Sequence, residues 1–169
     1  PYTGYINHTP DNKLYAKYKP VFPISGNESG NEIVALKTGL KEPPKVVLIK
    51  DGEEKTLFRP GNYFPDAFHY SAGKIIWSEY QPHPRWAHKS WSVIMIYNLD
   101  TCKKKKITRK SRVFSPALSP DGLKIAAVEY NDKDLSSLII MDINGAELQR
   151  FSFIGKDIIQ QPSWNKEGT

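Results

Sequence analysis

The sequence has little of what marks several large classes of protein. Cys102 is the single cysteine among 169 residues, so an internal disulfide framework is excluded. No apolar run approaches the roughly 18 residues needed to cross a bilayer, so no transmembrane segment is predicted, and no signal-peptide pattern is recognised within these residues. Nucleophile-elbow, zinc-protease and phosphate-loop motifs are missing too. The sequence therefore predicts no catalytic residue, no metal site and no cofactor.

Helical patterns are also scarce, whereas short apolar segments separated by turn residues are frequent. No capped window of ten or more residues carries an apolar stripe with a period of 3.6, and this favours an all-β fold. Turn chemistry is strong at several points, because Pro presets φ, Asp caps a turn and Gly accepts a positive φ. The predicted structural turn residues are Asp51, Gly52, Pro120, Asp121, Gly122, Asn144 and Gly145.

The stretch from Ser115 to Val128 predicts a strand, a Ser-Pro-Asp-Gly turn and a second strand, and partial copies of it recur. One copy runs from Gln161 to Thr169, and its Pro162 follows Pro116 by 46 residues. A degenerate copy spans 65–77. Such self-similarity is typical of repeat architectures, and strands throughout each repeat indicate propeller blades. We expect an incomplete β-propeller of about three four-stranded antiparallel blades with the start of a fourth. The predicted blades are 20–59, 62–109, 112–154 and 157–169, preceded by a Tyr-rich linker or arm over residues 1–19.

Ser-Pro-Ala-Leu-Ser-Pro-Asp-Gly-Leu-Lys-Ile-Ala at 115–126, followed by the segment 138–145, resembles the TolB-like β-propeller repeat. The copy at Pro162–Gly168 matches with Asn-Lys-Glu-Gly in place of the usual turn. The resemblance implies an extracytoplasmic, periplasmic location in a Gram-negative bacterium. It also implies a fragment or the beginning of a longer propeller, because a closed one has at least four blades.

The least repetitive stretch is the long loop at 81–90. Loops on rigid scaffolds carry binding residues more often than strands do, and Arg with Trp is typical of interface anchors. The alternative is a structured loop in which Trp86 covers the sheet edge and Arg85 pairs locally. Two histidines without a third ligand do not predict a metal site. The predicted partner-binding residues are His83, Arg85, Trp86, His88 and Trp91.

The net charge of +6 comes largely from one run, which holds seven basic residues in ten. Lysines on an outer strand discourage edge-to-edge pairing, and this is the structural interpretation. The functional interpretation is a patch for an anionic partner. Nucleic acid is not expected, because no aromatic stacking platform accompanies the lysines. The patch consists of Lys103, Lys104, Lys105, Lys106, Arg109, Lys110 and Arg112.

These features favour a non-enzymatic module that mediates protein–protein interaction in the cell envelope. One alternative is the propeller domain of a larger hydrolase or peptidase whose catalytic domain lies outside this chain. A weaker one is a glycan-binding propeller with Trp86 and Trp91 as stacking platforms. An open arc of blades would also expose an apolar face, which predicts self-association.

Overall fold

The computed structural model describes residues 16–21, 32–40, 42–64, 68–86, 89–131, 135–152 and 159–168. These residues form twelve strands in three four-stranded antiparallel sheets and no α-helix, which confirms the all-β prediction. The chain divides into two compact units, residues 1–60 and 61–169. No helix that could cross a membrane occurs among the described residues.

The first unit contains sheet I, with strands β1 (Ala16–Pro20), β2 (Glu32–Gly39), β3 (Lys45–Lys50) and β4 (Glu53–Phe58) in sequential order. Buried side chains lie on both faces of its central strands, as in Val34, Ala35 and Leu36. The predicted hairpin joins β3 to β4, because Asp51 and Gly52 both have positive φ, 51° and 81°.

The beginning of sheet I differs from the prediction. A linker was expected up to residue 19 and the first blade from residue 20, but β1 already begins at Ala16 and ends at Pro20. Pro20 is compatible with this strand because β1 lies at the edge of sheet I opposite to β4, and Pro is tolerated in edge strands. Its Tyr18 ring is buried, and the Tyr18 hydroxyl donates a 2.7 Å hydrogen bond to Glu54.

The second unit contains two sheets of the same sequential order. Sheet II consists of β5 (His69–Ser71), β6 (Lys74–Gln81), β7 (Trp91–Asn98) and β8 (Lys103–Lys106). Sheet III consists of β9 (Val113–Leu118), β10 (Lys124–Tyr130), β11 (Ser136–Asp142) and β12 (Glu147–Ser152). The residues after β12 that begin the next repeat, 159–168, form no regular strand.

The Ser-Pro-Asp-Gly turn has the predicted structural role. The Asp121 carboxylate accepts hydrogen bonds from the Ser119 hydroxyl and the Leu123 N–H, and the hydrogen bond from Ser119 is the main cause that lowers the pKa of Asp121. Gly122 has φ +68°, and a Cβ on it would lie 2.7 Å from the Ala72 Cβ of sheet II. This glycine therefore allows both the turn and a close approach of two sheets.

The hairpin between β11 and β12 is organised by a carboxylate in the same way. Asp142 accepts hydrogen bonds from the N–H groups of Asn144 and Ala146, each 2.8 Å long. The Ala146 bond is the main cause that lowers the pKa of Asp142. Both acidic residues are therefore architectural, as their positions in the repeat indicate.

Sheets II and III pack face to face over one apolar core. Burial of a Leu or Ile side chain stabilises a fold by about 1.5–3 kcal/mol, so this junction supplies much of the stability of the second unit. The buried residues come from both central strands of each sheet and from β9. They are Ile76, Ile94 and Ile96 of sheet II, and Val113, Leu118, Ile125, Ala127, Ile139 and Met141 of sheet III.

Polar contacts at the edge of this junction join β5 to β9. The Leu118 N–H donates to His69 Nδ1 at 3.2 Å, and the Ser71 hydroxyl donates to the Ser119 carbonyl at 3.0 Å. Burial lowers the pKa of His69 to about 4, so the imidazole is neutral and free to accept at Nδ1. A similar link follows one repeat later, where the Trp164 indole donates to the Ala117 carbonyl at 3.0 Å.

Candidate functional site

One end of the second unit collects its irregular segments, and we call it the loop end. It carries the loop after β6 (described at 82–86 and 89–90), the segment before β9 (107–112) and the segment 159–161. Ser92 near the start of β7 pairs with Ser111 of the second segment in both directions, with N to O distances of 2.7 and 3.2 Å. The Ser92 hydroxyl also donates to the Val113 carbonyl at 2.7 Å, and this buried hydrogen bond joins sheet II to sheet III at the loop end.

His83 organises the loop after β6. Its Nδ1 accepts hydrogen bonds from the N–H groups of Arg85 and Trp86, both at 3.2 Å. The backbone N–H of His83 donates a hydrogen bond to the Ser90 hydroxyl, also at 3.2 Å. The imidazole thus replaces a backbone acceptor inside the turn. Of the predicted binding residues, this histidine has a clear structural role.

Trp91 forms the inner wall of the same loop. Its indole N–H donates to Gln81 Oε1 at 2.9 Å, and the His83 ring meets its edge at a centroid distance of 6.1 Å. Lys110 Nζ lies 5.6 Å from the Trp91 ring centroid, within the range of a cation–π contact. The predicted partner-binding loop is therefore in contact with the end of the basic run. The sequence had indicated the loop and the basic run as two separate candidate sites.

Trp86 and Arg85 lie on the exposed part of the same loop. Trp86 is 52% exposed, and Lys89 Nζ lies 5.9 Å from its ring centroid. His88, the remaining predicted binding residue, lies outside the described residues. The loop therefore presents an exposed aromatic ring beside one ammonium group, and its backbone is held by hydrogen bonds to His83.

The basic run is divided between two surfaces. Lys103–Lys106 form β8, the outer strand of sheet II, and all four are exposed. Lys105 Nζ donates to Asn144 Oδ1 at 3.0 Å, which is a contact with a neutral amide. The remaining cations continue to the loop end, where Lys110 meets Trp91 and Arg112 lines a cleft.

The equivalent outer strands are not basic. β4 reads Glu-Glu-Lys-Thr-Leu-Phe, and the one cation of β12, Arg150, is paired with Glu129 and Glu147. The lysine run of β8 is therefore not a feature that the three outer strands share.

A row of aromatic rings crosses the loop end. Phe64 meets Tyr80 and Phe114 at centroid distances of 6.3 and 5.5 Å, and Phe114 meets Tyr130 at 5.8 Å. All three contacts are edge-to-face, the geometry that aromatic pairs prefer. Tyr80 and Tyr130 lie 50 residues apart, as do Phe64 and Phe114, so the row is built by the repeat itself.

A cleft of about 610 Å³ opens beside the last rings of this row. Its floor is Phe114, Val128 and Tyr130, and polar groups from neighbouring segments surround it. The lining residues are Ser90, Arg112, Phe114, Ser115, Val128, Tyr130, Ile159, Gln160 and Gln161. Arg112 supplies a guanidinium to this described lining, and none of the described lining residues is acidic.

Most of these cleft residues were not predicted from the sequence. Only Arg112 was singled out, as a member of the basic run. The missed pattern is the 50-residue spacing of the aromatic pairs, which is visible once the two tyrosines and two phenylalanines are aligned. The cleft itself could not be predicted, because it depends on how segment 159–161 returns to sheet III.

The described residues contain no cluster of three or more His, Cys, Asp or Glu side chains with the geometry of a metal site. Cys102, the lone thiol, is exposed in the turn before β8, where its Sγ contacts the Leu99 carbonyl at 3.4 Å. What the loop end offers chemically is aromatic surface, hydrogen-bonding amides and positive charge, which is the equipment of a binding surface.

Three solved structures share this architecture. TolB from Acinetobacter baumannii matches with a TM-score of 0.61 and 18% identity over 90% of this chain. The β-propeller domain of the trilobed protease from Pyrococcus furiosus, which has an open velcro topology, matches at 0.52 and 17% over 74%. A structure assigned as TolB from Agrobacterium tumefaciens matches at 0.51 and 16% over 82%.

The chain has the fold of part of a TolB-like β-propeller. The resemblance noted in the repeat at 115–126 is thereby confirmed, and each four-stranded sheet corresponds to a blade. The chain spans 37%, 40% and 62% of the three solved chains, respectively. No protein-family model matches the chain, and a search of curated protein sequences gives no match.

Proposed function

We propose that this chain is a non-catalytic propeller module that binds a protein partner through the loop end. The observation that carries the proposal is Trp86, which is 52% exposed on a loop whose backbone is fixed by His83. An aromatic side chain on a preordered loop loses little entropy on binding, which is why such residues dominate interface energies. The resemblance to TolB supports a periplasmic location for this activity.

The polar surroundings of Trp86 suit a protein surface. Lys89 places a cation next to the ring, Arg85 precedes Trp86 in the chain, and Ser90, Gln160 and Gln161 add hydrogen-bonding groups around the neighbouring cleft. Interfaces commonly combine a central aromatic anchor with a polar rim of this kind. The described residues bring together no nucleophile, base and oxyanion-binding group, so a catalytic role would depend on chemistry from elsewhere.

Site-specific photocrosslinking tests the proposal in the native cell. A photoreactive phenylalanine analogue at position 86 should form crosslinks to one predominant polypeptide. The matched control is the same analogue at Leu123, which is 60% exposed in the Ser-Pro-Asp-Gly turn. Alanine at Arg85, with the analogue kept at 86, should weaken the crosslink. Equal crosslinking from positions 86 and 123, or none from 86, would contradict the proposal.

For the strand β8 we propose a weaker, electrostatic contribution to the same association. Four exposed lysines attract an acidic partner and raise the rate at which it meets the protein. Partner capture should therefore slow as salt rises, because screening lengths fall below about 10 Å above 0.1 M salt. An association rate that does not change with ionic strength would remove β8 from the proposal.

A further inference from the structure

The row of aromatic rings at the loop end lacks a ring in the last repeat. The repeat that contains Phe114 is followed by the copy at 162–168, and Pro116 corresponds to Pro162. The residues just before these prolines, Ser115 and Gln161, both have φ +49°, so the backbones are equivalent as well. By the same spacing Phe114 corresponds to Gln160. The row of rings therefore continues with an amide where the preceding repeat has a phenyl ring.

The cleft lies where that ring would be. At the junction of sheets II and III, Phe114 fills the space beside Phe64, with 5.5 Å between ring centroids. One repeat later the space beside Phe114 is bounded by Gln160 and is open, and it is the cleft of about 610 Å³. Phe114, with Tyr130 beside it, thus borders this opening in the way that Phe64, with Tyr80 beside it, borders Phe114.

Charge adds a second element of selectivity. Arg112 lines the cleft, and no carboxylate stands among the described lining residues. An anionic group beside the bound ring would meet a guanidinium, the side chain best suited to pair with a carboxylate. A cationic group at the same position would be repelled.

We propose that the cleft binds an aromatic side chain that neighbours a carboxylate, contributed by a protein partner. The partner's ring takes the place left empty by Gln160, and its carboxylate lies at Arg112. This inference rests on the proposed function and identifies the chemistry of the partner. Its geometric template is the Phe64–Phe114 contact, which is already present one repeat earlier.

N-acetylphenylalanine is a suitable probe because it carries both groups, and NMR titration of the full chain can follow it. For a ligand of about 15 non-hydrogen atoms, we expect a dissociation constant in the millimolar range. Shift changes should concentrate at Phe114, Val128 and Tyr130. N-acetylleucine, which lacks the ring, and N-acetylphenylalanine amide, which lacks the charge, should each bind at least threefold more weakly.

Two variants make the test specific. Gln160→Phe closes the cleft with the missing ring and should abolish the titration, and Gln160→Leu should weaken it by a smaller factor. Arg112→Gln should bind the acid and the amide with equal affinity. Thermal unfolding of each variant verifies that it is folded. Unchanged binding to Gln160→Phe, or equal binding of the leucine compound to the wild type, would overturn the inference.

The outcomes separate this inference from the proposed function. If position 86 crosslinks to a partner but the probe does not bind, the proposed function stands and the cleft assignment is wrong. If the probe binds in the cleft but position 86 crosslinks to nothing, the cleft assignment stands and the loop is not the docking surface.

Discussion

The two faces of sheet III show what one repeat can do with two different neighbours. One face is sealed against sheet II, where Leu118, Ile125 and Met141 are at most 3% exposed. Among the described residues, the other face is met only by segment 159–168, and there Leu138 and Ile140 are half-buried and Phe151 is exposed. Both faces belong to the same hydrogen-bonded sheet, so the difference lies in what packs on them.

The same contrast appears residue by residue along the repeat. Ile76 of sheet II becomes Ala126 in sheet III, 50 residues later, and Phe114 becomes Gln160 in the next copy. A smaller or polar side chain at a position that faces the next sheet or segment leaves a gap in the packing. The repeat therefore fixes the scaffold, and departures from it determine where a cleft can form.

The largest expected effect comes from weakening the sealed face. Leu118→Ala should lower the free energy of unfolding by about 2–5 kcal/mol, because a buried leucine is replaced by a cavity. Ile140→Ala on the other face should cost about 1 kcal/mol, since this side chain is only half-buried. Urea unfolding of the two variants measures both values. Equal costs would mean that the two faces are packed alike.

Low pH should destabilise the junction of sheets II and III through protonation of His69. Its folded-state pKa, lowered to about 4 by burial, lies below the unfolded value of 6.5. The unfolded state therefore binds the proton first as pH falls. The contribution of neutral His69 to the free energy of unfolding is fully present above pH 6.5. It is lost between pH 6.5 and 4, by about 3 kcal/mol in total.

Unfolding measured at several pH values checks this expectation. In His69→Asn the side-chain oxygen can still accept from the Leu118 N–H but does not titrate. The decline between pH 6.5 and 4 should therefore be smaller in this variant by about the same amount. An identical pH profile in both proteins would contradict a buried neutral histidine.

Gly122 tests the close approach of sheets II and III. Alanine at this position adds backbone strain at φ +68° and a contact of 2.7 Å with the Ala72 Cβ, so we expect a loss of about 2 kcal/mol. Gly52→Ala is the matched control, because φ is +81° but nothing lies within 4 Å. Gly52→Ala should lower the free energy of unfolding by about 1 kcal/mol, from backbone strain alone. If the two losses are the same, the approach of the sheets is not tight.

The smallest effect on stability is expected in β8. Lys103→Gln and Lys106→Gln should each change the free energy of unfolding by less than about 0.5 kcal/mol, because both side chains are exposed. The same substitutions should reduce binding to a polyanion such as heparin at low salt. A large loss of stability would show that the lysines serve the fold.

The sequence was sufficient for the scaffold because repeats and turns are local. β7 and β9 lie in the predicted blades at 62–109 and 112–154, and the Asp-Gly and Asn-Gly turns lie where they were expected. The linker predicted over residues 1–19 overlaps β1, because the alternation of Lys17, Tyr18 and Lys19 is too short to predict a strand. Self-association through an open blade face stays a prediction.

The candidate site was only partly predictable. The loop at 82–90 stands out because it interrupts the repeat, but its internal order depends on His83 accepting from two backbone N–H groups. The cation–π contact of Lys110 with Trp91 and the cleft at Gln160 are products of tertiary packing. Spacing along the chain could not reveal either of them.

A crystal structure of the Gln160→Phe variant tests the central claim most directly. If the cleft is a missing ring in the aromatic row, the introduced ring should lie edge-to-face with Phe114 at a centroid distance of about 5–6 Å, and the cleft should be closed. An introduced ring that points into solvent, with the cleft still open beside Phe114 and Tyr130, would contradict the account.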